Sequence, residues 1–475
     1  MDPLDEKVLR VFGDVAVDKR LARLEVVSRL PRFISEYLIS RYYRNDSVNW
    51  LDKLAKVIED YYPEPKDKDR VLSKAKREGR VTLIDEYKVD VDLKRNMYLL
   101  HIPNLQIHDA LVSESIVGQY ERILSGLWGI GVLKYRPELV EAVMSRGREK
   151  PSFTPLVLIE FEPFQVYNID VKAFIEGRET FTTQEWIDLL VKSVGLNPSM
   201  YSERQKLLLI VRLVPLIEGN VNLIELGPRA TGKTYLYRNI SYYTRIYAGG
   251  TVSAARLFYD ARLRVLGDIG TRDAVIFDEI ARVRFSNPDE VVAKLKDYMV
   301  DGFFERGQLK RAHSNCSLVF MGNIELDYGG VLGSVVDYLP DFMKDTAFLD
   351  RMHGLLPGWE LPKILKSDIH VAQGYALAAD YLSEILHRMR VYSFEAVVEQ
   401  HVELVGSYTI RDEKAVKKLL SGLIKLIFPH GEFDSKELRR VVDLAIELRQ
   451  NVVNILSEIA PHEFPRKRLG AEVIG

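Results

Sequence analysis

The most chemically specific residues of this sequence form a glycine-rich run that ends in lysine and threonine. It has the spacing G-x-x-x-x-G-K-T and consists of Gly227, Pro228, Arg229, Ala230, Thr231, Gly232, Lys233 and Thr234. An apolar run precedes it and a helical pattern follows, the setting in which backbone N–H groups surround phosphates at a helix N-terminus. Lys233 would reach the β- and γ-phosphates of ATP, and the Thr234 hydroxyl would hold Mg²⁺. The pattern predicts a nucleotide-binding loop, with a chance match as the alternative.

A second apolar run, at residues 273–277, ends in the carboxylates of Asp278 and Glu279. In-line attack of water on a γ-phosphate needs a metal that neutralises developing charge and a base that orients the water. We expect Asp278 to hold Mg²⁺ through its water shell and Glu279 to deprotonate the attacking water. The alternative, a strand that merely ends in a polar turn, is disfavoured by the phosphate loop upstream.

Three more polar residues fit supporting roles in hydrolysis. Asn323 ends an apolar run and is predicted to position the attacking water, unless it only caps a turn. Arg351 would act as an arginine finger on the nucleotide of a neighbouring subunit, which requires a ring; an ion pair within its own chain is the alternative. Arg411, at the start of a helical pattern, is the candidate for a second sensor, with a solvated charge at a helix end as its alternative.

A basic turn upstream of Asn323 bears on the substrate. Residues 302–313 are predicted to form a β-hairpin that turns near Gly307 and Gln308. The basic residues expected around its tip are Arg306, Lys310 and Arg311. Repeated around a ring, they would suit a phosphate backbone, whereas an unfoldase would grip peptide with aromatic residues such as Phe303 and Phe304. The basic tip favours nucleic acid, and a solvated surface turn stays open.

The hydrophobic pattern divides the chain into four expected regions that position these residues. Residues 1–80 are mostly helical, and residues 81–170 carry about five short strands typical of a small OB-like β-barrel. Residues 171–365 predict an α/β AAA+ P-loop core, a parallel sheet flanked by helices. Residues 366–475 predict a C-terminal helical lid.

Two basic segments of the N-terminal regions are predicted to bind DNA. One is a charged helical segment at residues 66–80, and the other is a loop at residues 145–150. Their candidate phosphate contacts are Lys74, Lys76, Arg77, Arg146 and Arg148.

Composition limits the class of protein. The chain has 47% hydrophobic and 28% charged residues, as folded soluble proteins do, and lacks an uninterrupted apolar stretch of about 18 residues. The acidic N-terminus does not resemble a signal peptide, and a lone cysteine, Cys316, excludes an intramolecular disulfide. With 66 basic and 68 acidic residues, a nucleic-acid binder must concentrate its basic residues locally. We expect a cytoplasmic protein without a membrane partner.

Several longer runs give the sequence a family resemblance. They are residues 181–190, 225–229, 255–259, 295–299, 345–353, 357–360, 421–427 and 431–433. Over most of the chain they resemble the BrxL family, the Lon-related AAA+ ATPases of BREX phage-defence systems. This resemblance is more specific than the nucleotide motifs alone.

The resemblance implies a homo-hexameric ring, single or stacked as a double ring, that binds DNA, with duplex DNA as the expected form. Its motor is similar to that of MCM helicases, and ATP hydrolysis would serve phage restriction together with other BREX components. Many relatives continue into a C-terminal Lon-like domain, whereas this sequence ends at Gly475, so peptidase activity is not expected. A protein-remodelling unfoldase, or a DNA-binding assembly that ATP switches without translocation, are the alternatives.

Overall fold

The structure is a computed structural model that describes residues 2–43, 49–93, 95–144, 153–164, 169–262, 264–327 and 330–474. The chain forms two compact units. The sheet unit comprises Met1–Arg20 and Asp170–Gly475, and the barrel unit comprises Leu21–Ile169. This division differs from the four predicted regions because the first residues of the chain pack with the sheet unit. The division into four domains stays a prediction.

The elements of the described residues follow in chain order. The α-helices are α1 Pro3–Phe12, α2 Arg32–Tyr43, α3 Trp50–Tyr61, α4 Lys68–Glu78, α5 Glu114–Gln119, α6 Pro137–Met144, α7 Val171–Glu179, α8 Thr183–Ser193, α9 Glu203–Val211, α10 Val214–Ile217, α11 Lys233–Ile240, α12 Ala254–Leu257, α13 Asp268–Thr271, α14 Pro288–Asp301, α15 Thr346–Leu349, α16 Ser367–His370, α17 Ala379–Met389, α18 Glu395–His401, α19 Ile410–Ile427 and α20 Ser435–Ile459. The strands are β1 Ala16–Asp18, β2 Arg80–Asp92, β3 Met97–Ile102, β4 Ile107–Val112, β5 Leu127–Tyr135, β6 Leu156–Pro163, β7 Asn222–Gly227, β8 Thr244–Val252, β9 Tyr259–Asp260, β10 Val265–Leu266, β11 Ala274–Phe285, β12 Phe303–Arg306, β13 Leu309–His313, β14 Ser317–Asn323, β15 Leu326–Asp327, β16 Gly330–Val331, β17 Gly354–Pro357, β18 Tyr375–Leu377, β19 Val402–Gly406 and β20 Leu469–Val473.

The barrel unit contains a closed barrel with the strand order β2–β3–β4–β6–β5. Strand β2 pairs with both β3 and β5 in antiparallel register, and β4 runs parallel to β6. Alternate side chains of β2 enter the barrel core, as a strand with one buried face requires. Helix α4 packs Val71 and Ala75 into the same core. The likeness of this barrel to an OB fold stays a prediction.

The sheet unit is built on a five-stranded parallel sheet with the order β17–β7–β14–β11–β8. Every residue of β7 is buried, which explains why its sequence is an apolar run rather than an alternating pattern. The α/β core with a parallel sheet is therefore confirmed. At the edge where β7 and β14 end, Asn323 pairs in register with Gly227, and Asp278 of the neighbouring strand β11 lies at the same edge.

Two strand pairs of the sheet unit lie in regions that the sequence predicted to be helical or mostly helical. Strand β19 pairs with β20 near the C-terminus, and β18 pairs with β1 from the start of the chain. The predicted hairpin before Asn323 is present as β12 and β13. Among the described residues, none of the helices combines the length and the apolar character that crossing a bilayer requires.

Candidate nucleotide-binding site

The phosphate loop joins β7 to α11 through backbone conformations that glycine favours. Gly232 has φ +79°, and Ala230 has φ +65°, a left-handed conformation that is uncommon for a residue with a side chain. A Cβ at Gly227 would lie 2.6 Å from the backbone of Gly358, so only glycine fits at the start of the loop. The loop is thereby held in a narrow turn at the N-terminus of α11.

The ammonium group of Lys233 lies inside this loop. It donates hydrogen bonds of 2.8 Å to the carbonyls of Gly227 and Pro228 and one of 3.3 Å to Asn323 Oδ1. Burial lowers the pKa of Lys233 because the charged form loses hydration. Phosphate oxygens could replace the carbonyl partners and restore a full counter-charge. The structure thus brings Asn323, which is predicted to position the attacking water, to the phosphate loop.

A buried ion pair that the sequence analysis missed supports the loop. Arg212 binds both carboxylate oxygens of Glu225 on β7, at 2.6 and 3.1 Å. Its third contact is a 2.9 Å hydrogen bond to the carbonyl of Thr231 in the loop. Arg212 and Glu225 each stand within apolar runs, and buried charges need partners, which was the available signal.

Thr234 and Asp278, the two predicted metal ligands, lie side by side. Thr234 Oγ1 donates a 2.6 Å hydrogen bond to Asp278 Oδ2, and Asp278 is buried. Mg²⁺ prefers oxygen ligands and keeps several waters, so it binds proteins through few side chains together with substrate phosphates. A hydroxyl and a carboxylate beside a phosphate loop fit that requirement.

The predicted base, Glu279, adopts an unusual backbone conformation. Its φ is +51°, and the pairing of β11 with β8 is irregular between Asp278 and Val283. Left-handed non-glycine residues cost roughly 1–3 kcal/mol and often occur at functional sites. Its carboxylate forms a 3.1 Å ion pair with Arg282, which the sequence analysis did not identify. Glu279 is thus adjacent to the predicted metal ligands, with its carboxylate turned to a surface arginine.

Arg351 lies at the end of the sheet where the parallel strands begin, opposite to the end that carries the phosphate loop. Its carbonyl accepts a 3.2 Å hydrogen bond from Asn222, the first residue of β7. The phosphate loop begins at Gly227, five residues along that strand and therefore about 17 Å away. An arginine side chain does not span this distance, so Arg351 cannot contact the phosphate loop of its own chain. Its guanidinium donates to the Ala347 carbonyl rather than pairing with Asp350.

Arg411 lies near Arg351 and not at the phosphate loop. It lies in the first turn of α19 and pairs with Asp350, the neighbour of Arg351 in the chain. Burial lowers the pKa of Arg351, and the positive charge of Arg411 lowers it further. The structure therefore groups the two predicted arginines together, away from Lys233. Their assigned roles stay predictions.

The candidate DNA contacts of the hairpin differ in exposure. Lys310 and Arg311 are exposed, and the Arg311 guanidinium lies 4.2 Å from the ring centre of Phe303. Arg306 is half-buried, because it donates a 2.6 Å hydrogen bond to the Tyr259 carbonyl and binds Glu290 at 3.3 Å. The structure thus leaves Lys310 and Arg311 as the accessible basic residues of this hairpin and gives Arg306 an internal structural contact.

Three of the candidate DNA contacts of the barrel unit lie on α4. Lys76 and Arg77 are exposed there, and Lys74 is half-buried. Arg146 and Arg148 lie outside the described residues.

Comparison with known proteins adds to this geometry. Residues 156–470 match a family model described as "Lon-like protease BrxL-like, ATPase domain". This chain belongs to the BrxL family. Residues 10–135 match a second BrxL model, "BREX system Lon protease-like protein BrxL N-terminal". The resemblance inferred from the sequence is therefore confirmed, and the ATPase description implies that the nucleotide is ATP.

Two curated BrxL relatives match nearly all of the chain. "Lon-like protease BrxL" of Bacillus cereus (strain H3081.97) is 33% identical over 473 residues, which cover 98% of this chain and 68% of the relative. The protein of that name from Escherichia coli O9:H4 (strain HS) is 32% identical over 469 residues, covering 97% and 66% respectively. The chain thus spans about two thirds of the length of these relatives.

Proposed function

We propose that this chain is a ring-forming ATPase that binds duplex DNA, encircles or translocates on it, and couples ATP hydrolysis to phage restriction. The observation that carries the hydrolytic part is the convergence of the phosphate loop, Thr234, Asp278 and Asn323 at one edge of the sheet. Thr234 and Asp278 are 2.6 Å apart, and Lys233 reaches Asn323 at 3.3 Å. These are the side chains that phosphoryl transfer to water requires.

Each residue then has a role in hydrolysis. Lys233 exchanges its two carbonyl partners for oxygens of the β- and γ-phosphates. Thr234 and Asp278 would hold Mg²⁺, which supplies positive charge against the phosphates when bound. Glu279 leaves Arg282, orients the attacking water and accepts its proton on a carboxylate oxygen. Asn323 helps to orient that water.

The position of Arg351 supports a ring. Since it lies about 17 Å from the phosphate loop of its own chain, a catalytic contact must be with another subunit. Arg411 beside it would enter the same neighbouring site. A homo-hexamer, single or stacked in pairs, satisfies this geometry if every subunit completes the site of the next.

The accessible basic residues support DNA as the partner. Lys310 and Arg311 form one accessible basic pair on the hairpin, and Lys76 and Arg77 form another on α4, in a chain with nearly balanced totals of charge. Such contacts neutralise phosphates without reading sequence. The BREX description of the family model supports a defence role alongside other BREX components.

The first experiment measures ATP hydrolysis with and without duplex DNA at low and moderate salt, with Lys233→Ala as the inactive control. We expect DNA to stimulate hydrolysis and the stimulation to fade with salt, because phosphate contacts release counterions. The charge reversal Lys310→Glu should remove stimulation, while the exposed Lys172→Glu serves as the matched control. A rate indifferent to DNA would favour a protein-remodelling unfoldase, in keeping with the "Lon-like" names of the relatives, or an ATP-switched DNA-binding assembly.

A further inference from the structure

We propose that Arg449 is a positioning residue that holds Arg351 and Arg411 ready for the nucleotide of the neighbouring subunit. This inference rests on the proposed ring-forming ATPase. Arg449 would contribute to hydrolysis at the site of a neighbouring subunit without contacting the nucleotide of that subunit or of its own.

Arg449, on α20, forms hydrogen bonds with the backbone on both sides of Arg351. Its guanidinium donates to the carbonyls of Asp350 and Met352, at 3.1 and 2.6 Å. It also binds the carboxylate oxygen Asp350 Oδ1 at 2.8 Å. The residues before and after Arg351 are both hydrogen-bonded to the rigid, planar guanidinium group of Arg449. Arg449 therefore sets the direction in which the Arg351 side chain projects from the backbone.

The same guanidinium also holds the residue next to Arg411. Arg449 Nε donates a 2.8 Å hydrogen bond to Asp412 Oδ1, and Lys467 binds the other carboxylate oxygen. Asp350 and Asp412 thus turn inward to Arg449, while their chain neighbours Arg351 and Arg411 are the arginines of the proposed interface. The buried side chain of Arg449 thus stabilises both the segment that carries Arg351 and the segment that carries Arg411.

Arg351 has unmet hydrogen-bonding capacity, and Arg411 shares its carboxylate partner with another arginine. Nε of Arg351 is buried and has no hydrogen-bond partner among the described residues. Arg411 pairs with one oxygen of the Asp350 carboxylate and Arg449 pairs with the other, so two guanidinium groups share a single carboxylate. Burial and the charge of Arg411 both lower the pKa of Arg351, which is the direction expected where a counter-anion is missing. Phosphate oxygens of a neighbouring nucleotide have the chemistry to supply it.

The test compares the steady-state kinetics of the full chain carrying Arg449→Lys or Asp412→Asn. A lysine keeps the charge but cannot bind four acceptors at once, so we expect kcat to fall by about a hundredfold from misplaced groups while KM for ATP is unchanged. Arg440→Lys, an exposed arginine on the same helix, is the matched control. Thermal melting checks folding, and Asp412→Asn carries the test if Arg449→Lys does not fold. A raised KM with an unchanged kcat would overturn the proposal.

Mixed rings separate positioning from a merely structural role. Lys233→Ala chains have a dead site but intact arginines, so they should complete the sites of Arg449→Lys chains and raise the rate above that of either variant alone. Arg351→Ala mixed with Lys233→Ala is the benchmark. If the Arg351→Ala mixture regains activity and the Arg449→Lys mixture does not, the positioning role of Arg449 is refuted. If the Arg351→Ala mixture regains no activity and the chain does not assemble, the proposed ring itself is refuted.

Discussion

Thr234 Oγ1 and Asp278 Oδ2 lie 2.6 Å apart at the junction of the phosphate loop and β11. Thr234 lies in the first turn of α11 and Asp278 lies within β11, 44 positions further along the chain. Their contact joins the nucleotide loop to the predicted catalytic acids. It is a direct hydrogen bond between the two motifs that the sequence pointed to.

Replacing Thr234 should reveal whether this pair holds Mg²⁺. Thr234→Ser keeps the hydroxyl, so we expect hydrolysis close to that of the unmodified chain. Thr234→Ala removes one metal ligand and should shift half-maximal activity to higher Mg²⁺ concentration. A Mg²⁺ titration of the ATPase rate measures this. Equal Mg²⁺ dependence of the two variants would contradict the assignment.

Glu279→Gln should abolish turnover without weakening nucleotide binding. The amide keeps the size of the side chain but cannot accept a proton, and loss of a general base typically costs about 10²–10⁴ in rate. Single-turnover hydrolysis and a fluorescent-nucleotide titration measure the two properties. Glu176→Gln, at an exposed ion pair on α7, is the control. Hydrolysis that survives in Glu279→Gln would show that another group activates the water.

The Arg212–Glu225 pair allows stability and nucleotide affinity to be separated. Arg212→Met leaves a buried carboxylate unpaired, which should lower the free energy of unfolding by about 3–5 kcal/mol. The double variant Arg212→Met with Glu225→Met should recover most of that loss, because apolar replacement of a whole buried pair is tolerated. Affinity for ATP should stay reduced in both, since the Thr231 carbonyl loses its donor.

Urea unfolding and nucleotide titration provide the two readouts for these variants. Full ATP affinity in the double variant would mean that the loop keeps its shape without Arg212.

His353 should make the sheet unit less stable in acid. Burial lowers the pKa of His353 to about 3, and its Nδ1 accepts a 2.8 Å hydrogen bond from the Asn222 N–H. Between the unfolded pKa of about 6.5 and this value, the unfolded chain binds a proton that the folded chain refuses. His353 therefore contributes a loss of about 1.4 kcal/mol per pH unit as the pH falls through that window.

The variant His353→Asn removes this titration while an amide oxygen remains to accept the Asn222 N–H. Its free energy of unfolding should fall less steeply than that of the unmodified chain between pH 6.5 and pH 5. The exposed His462→Asn is the control. Identical slopes for His353→Asn and the unmodified chain would show that His353 is not the titrating group.

The sequence predicted most strands that carry the site, because their patterns are local. The apolar run that ends at Asn323 is β14, the run before the phosphate loop is β7, and the run that leads to Asp278 and Glu279 is the first part of β11. Adjacency at the carboxyl edge then followed from parallel topology alone. The short strands β1, β18, β19 and β20 were missed, because their partners are distant in sequence and they are too short for an alternating pattern.

The sequence by itself determined the chemistry of the phosphate loop and the acidic pair, since spacing within a strand–loop–helix unit places those groups directly. Only the tertiary structure decided which charged residues are free to act. Arg306 forms an ion pair with Glu290, and Arg411 forms one with Asp350. Arg212 and Arg449 are buried and form ion pairs with Glu225 and Asp350. The physical reason is that a buried charge takes its role from the partner that packing brings to it, and that partner lies anywhere along the chain.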